Sequence, residues 1–91
     1  MPEIILYARP GCHLCVEART VIEAVLSDRR LHGLIAPRLV ERDISTDPAW
    51  ERAFFSEIPV VEVGDRRLTL AISPRALRRF IADALGPVPA G

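Results

Sequence analysis

Glu3-Ile4-Ile5-Leu6-Tyr7-Ala8-Arg9-Pro10-Gly11-Cys12-His13-Leu14-Cys15 is the stretch that decides the fold. Glu3 to Tyr7 is a short, continuous apolar run rich in β-branched residues, the pattern of a strand buried on both faces at the centre of a sheet. Arg9-Pro10-Gly11 then breaks it. From Leu14 the apolar positions Leu14, Ala18, Val21, Ile22, Val25 and Leu26 recur at helical spacing, while Glu17, Glu23 and Arg30 fall elsewhere on the wheel. That spacing predicts a core-facing helix ending near Arg30, with Gly33 available for the turn.

Working outward, Arg38 to Ile44 reads as a second strand, less apolar than the first and so at or near a sheet edge. Asp47-Pro48 is an N-cap followed by proline at the first helical position, opening a short helix through Trp50, Ala53, Phe54 and Phe55. Pro59 to Val63 reads as a third strand, Gly64-Asp65 as a two-residue hairpin loop, and Arg67 to Leu70 as the returning strand. Ser73-Pro74 repeats the cap and opens a last helix with Leu77, Phe80, Ile81, Ala84 and Leu85 on one face. Gly86-Pro87 stops it. The order is βαβαββα, an α/β domain over residues 1–86: a right-handed parallel βαβ unit followed by an antiparallel hairpin, with helices on both faces of one mixed sheet. Residues 87–91 are expected to form a frayed tail.

At 91 residues the chain has room for one core. An apolar fraction of 49% with 26% charged residues is that of an ordinary globular domain. Twelve basic residues balance 12 acidic ones, so no overall field draws in nucleic acid or an anionic membrane. Every basic residue is Arg, and Lys, Asn and Gln are absent, which we read as the mark of a GC-rich bacterial genome. Met1-Pro2-Glu3 runs straight into the first strand with no basic or long apolar leader, so a cytoplasmic protein is expected. In that reducing compartment, 2 cysteines in one CxxC point to a reactive or metal-binding pair more than to a structural staple.

Cys12-His13-Leu14-Cys15 lies where the first strand meets the first helix. There the free backbone N–H groups and the positive end of the helix dipole favour a thiolate, and Arg9 is close enough in sequence to add positive charge. Cys15 shares the buried face of the helix with Ala18 and Ile22, whereas Cys12 sits at the helix mouth. Cys12 is thus the candidate attacking sulfur and Cys15 the resolving one. The same CxxC spacing occurs in zinc and iron–sulfur sites, but a tetrahedral site needs four ligands, and only His13, His32 and carboxylates remain. A cation near the thiolate makes such a pair more oxidising, a role open to His13; an exposed, inert histidine is the other reading.

Taken together, Leu6 to Cys15, then Asp43-Ile44-Ser45-Thr46-Asp47-Pro48, then Ile58-Pro59-Val60 and the Gly64-Asp65 hairpin resemble a glutaredoxin-like protein of the thioredoxin superfamily over essentially the whole chain. The resemblance implies the thioredoxin fold with sheet order 2-1-3-4 and a cis peptide bond between Ile58 and Pro59 beside the CxxC. It implies that Ile58 offers main-chain hydrogen bonds to a substrate and Pro59 the shape. Arg9, Gly11, His13, Ile58 and Pro59 are accordingly the candidate substrate-binding residues around Cys12 and Cys15. Glutathione-using glutaredoxins carry Thr-Val-Pro and a Gly-Gly followed by an acidic cap, where this chain has Ile58-Pro59 and Ala71-Ile72-Ser73-Pro74. Glutathione therefore stands as a candidate reductant without its usual binding motif, beside a thioredoxin-type reductase.

The leading functional expectation is a monomeric dithiol thiol–disulfide oxidoreductase, serving cell redox homeostasis through a redox-active disulfide, with protein or small-molecule disulfides as substrates and no resident cofactor or metal. The alternatives are an iron–sulfur or zinc carrier using Cys12 of two protomers, and a non-catalytic interaction module that uses a basic patch of Arg75, Arg78 and Arg79, joined by Arg66 and Arg67. Trp50, Phe54 and Phe55 read as core and half-exposed packing.

Overall fold

The computed structural model describes residues 3–88, so the expected fraying at 89–91 lies outside the described residues. Strand β1 (Glu3–Ala8) leads into helix α1 (His13–Leu31), then β2 (Arg38–Asp43), a 3₁₀ turn (Ile44–Thr46), α2 (Pro48–Phe54), β3 (Val60–Val63), β4 (Arg66–Leu68) and α3 (Pro74–Leu85). The sheet has 4 strands in the order β2-β1-β3-β4, with β1–β2 parallel and the other two pairings antiparallel. This is the thioredoxin-type arrangement, with the apolar β1 inside and the more polar β2 at an edge.

Alternation along β1 and β3 separates two faces. Ile4, Leu6, Ala8, Val61 and Val63 join Cys15, Ala18, Ile22 and Leu26 of α1 and Leu77 and Ile81 of α3 in one apolar cluster. On the other face Tyr7, Val60, Ile44 and Phe54 cluster under the short α2. That second face is partly polar. The Tyr7 hydroxyl donates to Glu62 at 3.1 Å and accepts from Arg42 at 3.1 Å, and Arg67 Nε donates to Glu62 at 2.7 Å. The register sets Tyr7 opposite Arg42 and Glu62 opposite Arg67, so one chain of hydrogen bonds crosses all four strands.

The caps follow local chemistry. Asp47 Oδ1 accepts from Ala49 N–H at 2.8 Å, and Ser73 Oγ from Ala76 N–H at 3.2 Å, each filling an orphan donor of the first helical turn, with proline in that turn. Gly64, with φ +60°, holds the left-handed position of the hairpin loop.

Three expectations need correction. Leu14, assigned to the core face of the helix, is 44% exposed, because the buried stripe runs through Cys15, Ala18, Ile22 and Leu26, and Leu14 lies about 100° round the helix from Cys15, at the margin of that stripe. The returning strand is Arg66–Leu68 and not Arg67–Leu70, since the Leu70 N–H leaves the ladder and donates to the Glu57 carbonyl at 2.8 Å. Arg67 does not join the α3 arginines in a free patch: it pairs with Glu62 at 2.6 Å and lies over the Phe54 ring.

Arg29 had no sequence signal. It is 6% exposed, and its guanidinium donates to the carbonyls of Ile35 at 2.9 Å, Gly86 at 2.8 Å and Leu85 at 3.3 Å. It thereby satisfies the carbonyl end of α3 and ties α1 to it.

Candidate functional site

β1 ends at Ala8 and the chain must turn sharply to enter α1. Gly11 makes the turn with φ +80°, a left-handed value that costs glycine least, and Cys12 N–H closes it on the Arg9 carbonyl at 3.2 Å. Cys12 is then the N-cap of α1: its backbone is extended, and its Sγ accepts from Cys15 N–H at 3.1 Å. A sulfur thus occupies the place usually taken by a Ser or Asp oxygen. The cysteines are joined in a disulfide with Cα atoms 5.2 Å apart, inside the range that a bridge spans without backbone movement. Cys12 is half-buried, whereas Cys15, one turn into the helix, is 2% exposed within the apolar core.

A cleft of about 270 Å³ opens beside the pair, and its lining includes Arg9, Gly11, Cys12, Cys15, Arg19 and Asp43. Its charges are matched internally. Arg9 pairs with Glu51 of α2, and Arg19 Nε lies 2.8 Å from Glu41 of β2. The Ser45 hydroxyl, at 2.6 Å, and the Ser45 N–H, at 2.9 Å, hold the Asp43 carboxyl below its ordinary value.

Ile58 and Pro59 do not line that cleft; they lie on the opposite side of β1. Their peptide bond is cis. Register makes the neighbourhood: Tyr7 faces Val60, so Pro59, one residue earlier, comes level with Ala8, where the loop to Cys12 begins. The carbonyls of Glu57 and Pro59 accept from Leu70 and Ala71 N–H, both at 2.8 Å. Between them, the N–H and C=O of Ile58 make no hydrogen bond among the described residues. Cys12 and Ile58 both pack on the apolar core cluster.

His13 points away from the cleft lining, with its side chain 86% exposed and 3.5 Å from Glu17, one turn on. Among the described residues no group of 3 or more His, Cys, Asp or Glu side chains is placed to hold a metal ion. No helix among them is long and apolar enough to cross a membrane. Glu51, as the partner of Arg9, and the turn at Leu70 escaped the sequence reading. Glu51 sits 42 positions from Arg9, and Leu70 holds φ +49° with neither glycine nor asparagine to mark the turn.

A family described as "Glutaredoxin-like domain (DUF836)" matches residues 3–85. No curated protein matches the chain. A solved structure described as "Structure of a malarial protein" superposes with a TM-score of 0.63 at 15% identity, covering 93% of this chain and 98% of that one. At that identity the likeness speaks to the fold alone. The strand order, the cis-proline and the CxxC pair at the mouth of α1 agree with a family match spanning nearly every described residue, and the chain therefore belongs to the glutaredoxin-like (DUF836) family.

Proposed function

We propose that the chain is a dithiol thiol–disulfide oxidoreductase in which Cys12 attacks and Cys15 resolves. The observation that carries this reading is the unequal placement of the two sulfurs. Cys12 is half-buried at the N-cap, with Cys15 N–H directed at its Sγ from 3.1 Å, while Cys15 is 2% exposed. The N–H groups and positive dipole end that meet Cys12 stabilise negative charge on that sulfur.

In the reduced protein the Cys12 thiolate attacks one sulfur of a substrate disulfide, forming a Cys12–substrate bond and expelling the other half as a thiolate. The Cys15 thiolate then attacks Cys12 Sγ and releases the remaining half. The substrate gains two electrons and the protein loses two, ending in the Cys12–Cys15 disulfide. A low-molecular-weight thiol such as glutathione, or a dithiol reductase, restores the dithiol. Arg9, Gly11, His13, Ile58 and Pro59 are the proposed substrate-binding residues, and the protein is proposed to act as a cytoplasmic bacterial monomer.

The test is the reduction potential of the pair, taken by equilibration against glutathione buffers with trapping of free thiols. A reversible two-electron transition between roughly −270 and −180 mV is expected. Cys15→Ser should accumulate the mixed disulfide on Cys12, and Cys12→Ser should be inert. An absent intramolecular disulfide, or thiols that react only after metal is stripped, overturns the reading in favour of a metal carrier.

A further inference from the structure

Charge is distributed unevenly along the cleft beside the cysteines. Both cysteines line its roughly 270 Å³, between the start of α1 and the end of β2, and the charged side chains of the lining are Arg9, Arg19, Glu41 and Asp43. Each arginine already holds a carboxylate of this chain: Arg9 pairs with Glu51 of α2, and Arg19 with Glu41 at 2.8 Å. Asp43 is left over. No Arg or His nitrogen lies within ion-pair distance of it among the described residues. Its Oδ1 accepts from the Ser45 N–H and hydroxyl, donors that favour the ionised carboxylate, and the charge of Arg9 is the least of the influences on it. Both bonds fall on Oδ1, so Oδ2 makes no hydrogen bond among the described residues.

Size and charge select the occupant. The volume lies at the low end of small-molecule sites and suits a short thiol rather than a folded partner. Arg9 and Arg19 face three carboxylates, Glu41, Glu51 and Asp43, so an anion finds no free arginine and meets a surplus negative charge. A cation finds Asp43 with an acceptor oxygen to spare. In the reduced protein a Cys12 thiolate adds negative charge at the same place. Glutathione, with two carboxylates against one ammonium, is on the wrong side of this balance.

We propose that the cleft receives the half of a low-molecular-weight disulfide that Cys12 has captured, and that it favours disulfides carrying an ammonium within a few bonds of sulfur, as aminothiol disulfides do, with Asp43 setting the sign of the preference. The inference rests on the dithiol reading of Cys12 and Cys15. The protein dithiol gives up two electrons and two thiol protons, the disulfide takes both and leaves as two aminothiols, and the protein ends in its Cys12–Cys15 disulfide.

The experiment is single-turnover oxidation of the reduced protein by four probes: cystamine, whose halves are cationic, dithiodipropionate, whose halves are anionic, glutathione disulfide, and the uncharged 2-hydroxyethyl disulfide. Each rate is divided by the 2-hydroxyethyl disulfide rate of the same protein, and native protein is compared with variants, so the intrinsic reactivity of each probe cancels. Asp43→Asn, which keeps an oxygen for the Ser45 donors, should lower the relative cystamine rate and raise the relative rates of dithiodipropionate and glutathione disulfide. The cation-to-anion ratio should fall by about tenfold at low salt, as the loss of one nearby unit charge dictates. Glu41→Gln, which frees Arg19, should move it the same way. In about 1 M salt, where the screening length is about 3 Å, native and variant ratios should agree to within about twofold. Damage to the site slows every probe and cannot drive two of them in opposite directions. A ratio unchanged in both variants, or shifted towards the cation, overturns the proposal and leaves the dithiol reading standing. Failure of 2-hydroxyethyl disulfide to oxidise the native pair overturns both.

Discussion

The two faces of the sheet solve the burial problem differently. Against α1 and α3, Ile4, Leu6, Val61 and Val63 pack into an apolar cluster, and two helices of 19 and 12 residues cover them. Against α2, a helix of 7 residues leaves the margins open, and Tyr7, Glu62, Arg42 and Arg67 close them with hydrogen bonds and cation–ring contacts. Where cover is complete, packing holds the structure; where it is partial, the same strands carry polar residues at alternate positions and pair them across the sheet. The CxxC pair belongs to the sealed side: Cys15 is part of that core and Cys12 its rim.

The sharpest way to break this contrast is to hollow out the sealed face. Ile22→Ala should lower unfolding free energy by about 2–5 kcal/mol, read by urea denaturation. A loss under about 1 kcal/mol would mean that the core relaxes around the hole and that the faces do not differ. Next comes Arg29→Ala, which strips three carbonyls of their partner and should cost about 2–4 kcal/mol. Arg29→Lys should recover little of it, since one ammonium cannot span the three acceptors.

On the polar face Tyr7→Phe should cost only about 0.5–1.5 kcal/mol, because Glu62 keeps Arg67. The same hydroxyl predicts a pH signature. Burial, the largest influence, raises its titration above 10.0, so the unfolded chain releases the proton first. Tyr7 thus contributes full stability below about pH 10, and that contribution fades as pH climbs through the folded-state value. Thermal melts over this range should show the fade in the native protein and its absence in Tyr7→Phe. Smallest is Glu41→Gln, which removes an exposed pair with Arg19 and should shift stability by less than about 0.5 kcal/mol. A larger loss would make the cleft beside the cysteines a structural element in its own right.

Much of this was legible along the chain because its causes are local. The apolar run Glu3–Ala8, the Asp47-Pro48 and Ser73-Pro74 caps and the Gly64 hairpin each announce themselves within a few residues. Apart from Leu14, the errors fell where a distant partner intervenes. The Thr69-Leu70 end of the returning strand read as β until the Glu57 carbonyl drew Leu70 off the ladder. Arg9 read as a free positive charge beside Cys12 until α2 delivered Glu51 to it. Arg29 carried no signal along the chain, because the carbonyls of Leu85 and Gly86 that surround it lie at the far end of α3.

The sequence by itself determined the order of elements, the central position of β1 and the seating of Cys12 and Cys15 at the start of a helix. Those depend on period, capping and turn chemistry, which act over one or two turns of chain. Only the folded structure shows which charges near the cysteines are already paired, that the Ile58 backbone groups make no hydrogen bond among the described residues, and that the Arg29 guanidinium closes the carbonyl end of α3. The reason is separation: each of those features joins residues from different elements, and no local propensity encodes a partner that only the folded sheet brings within reach.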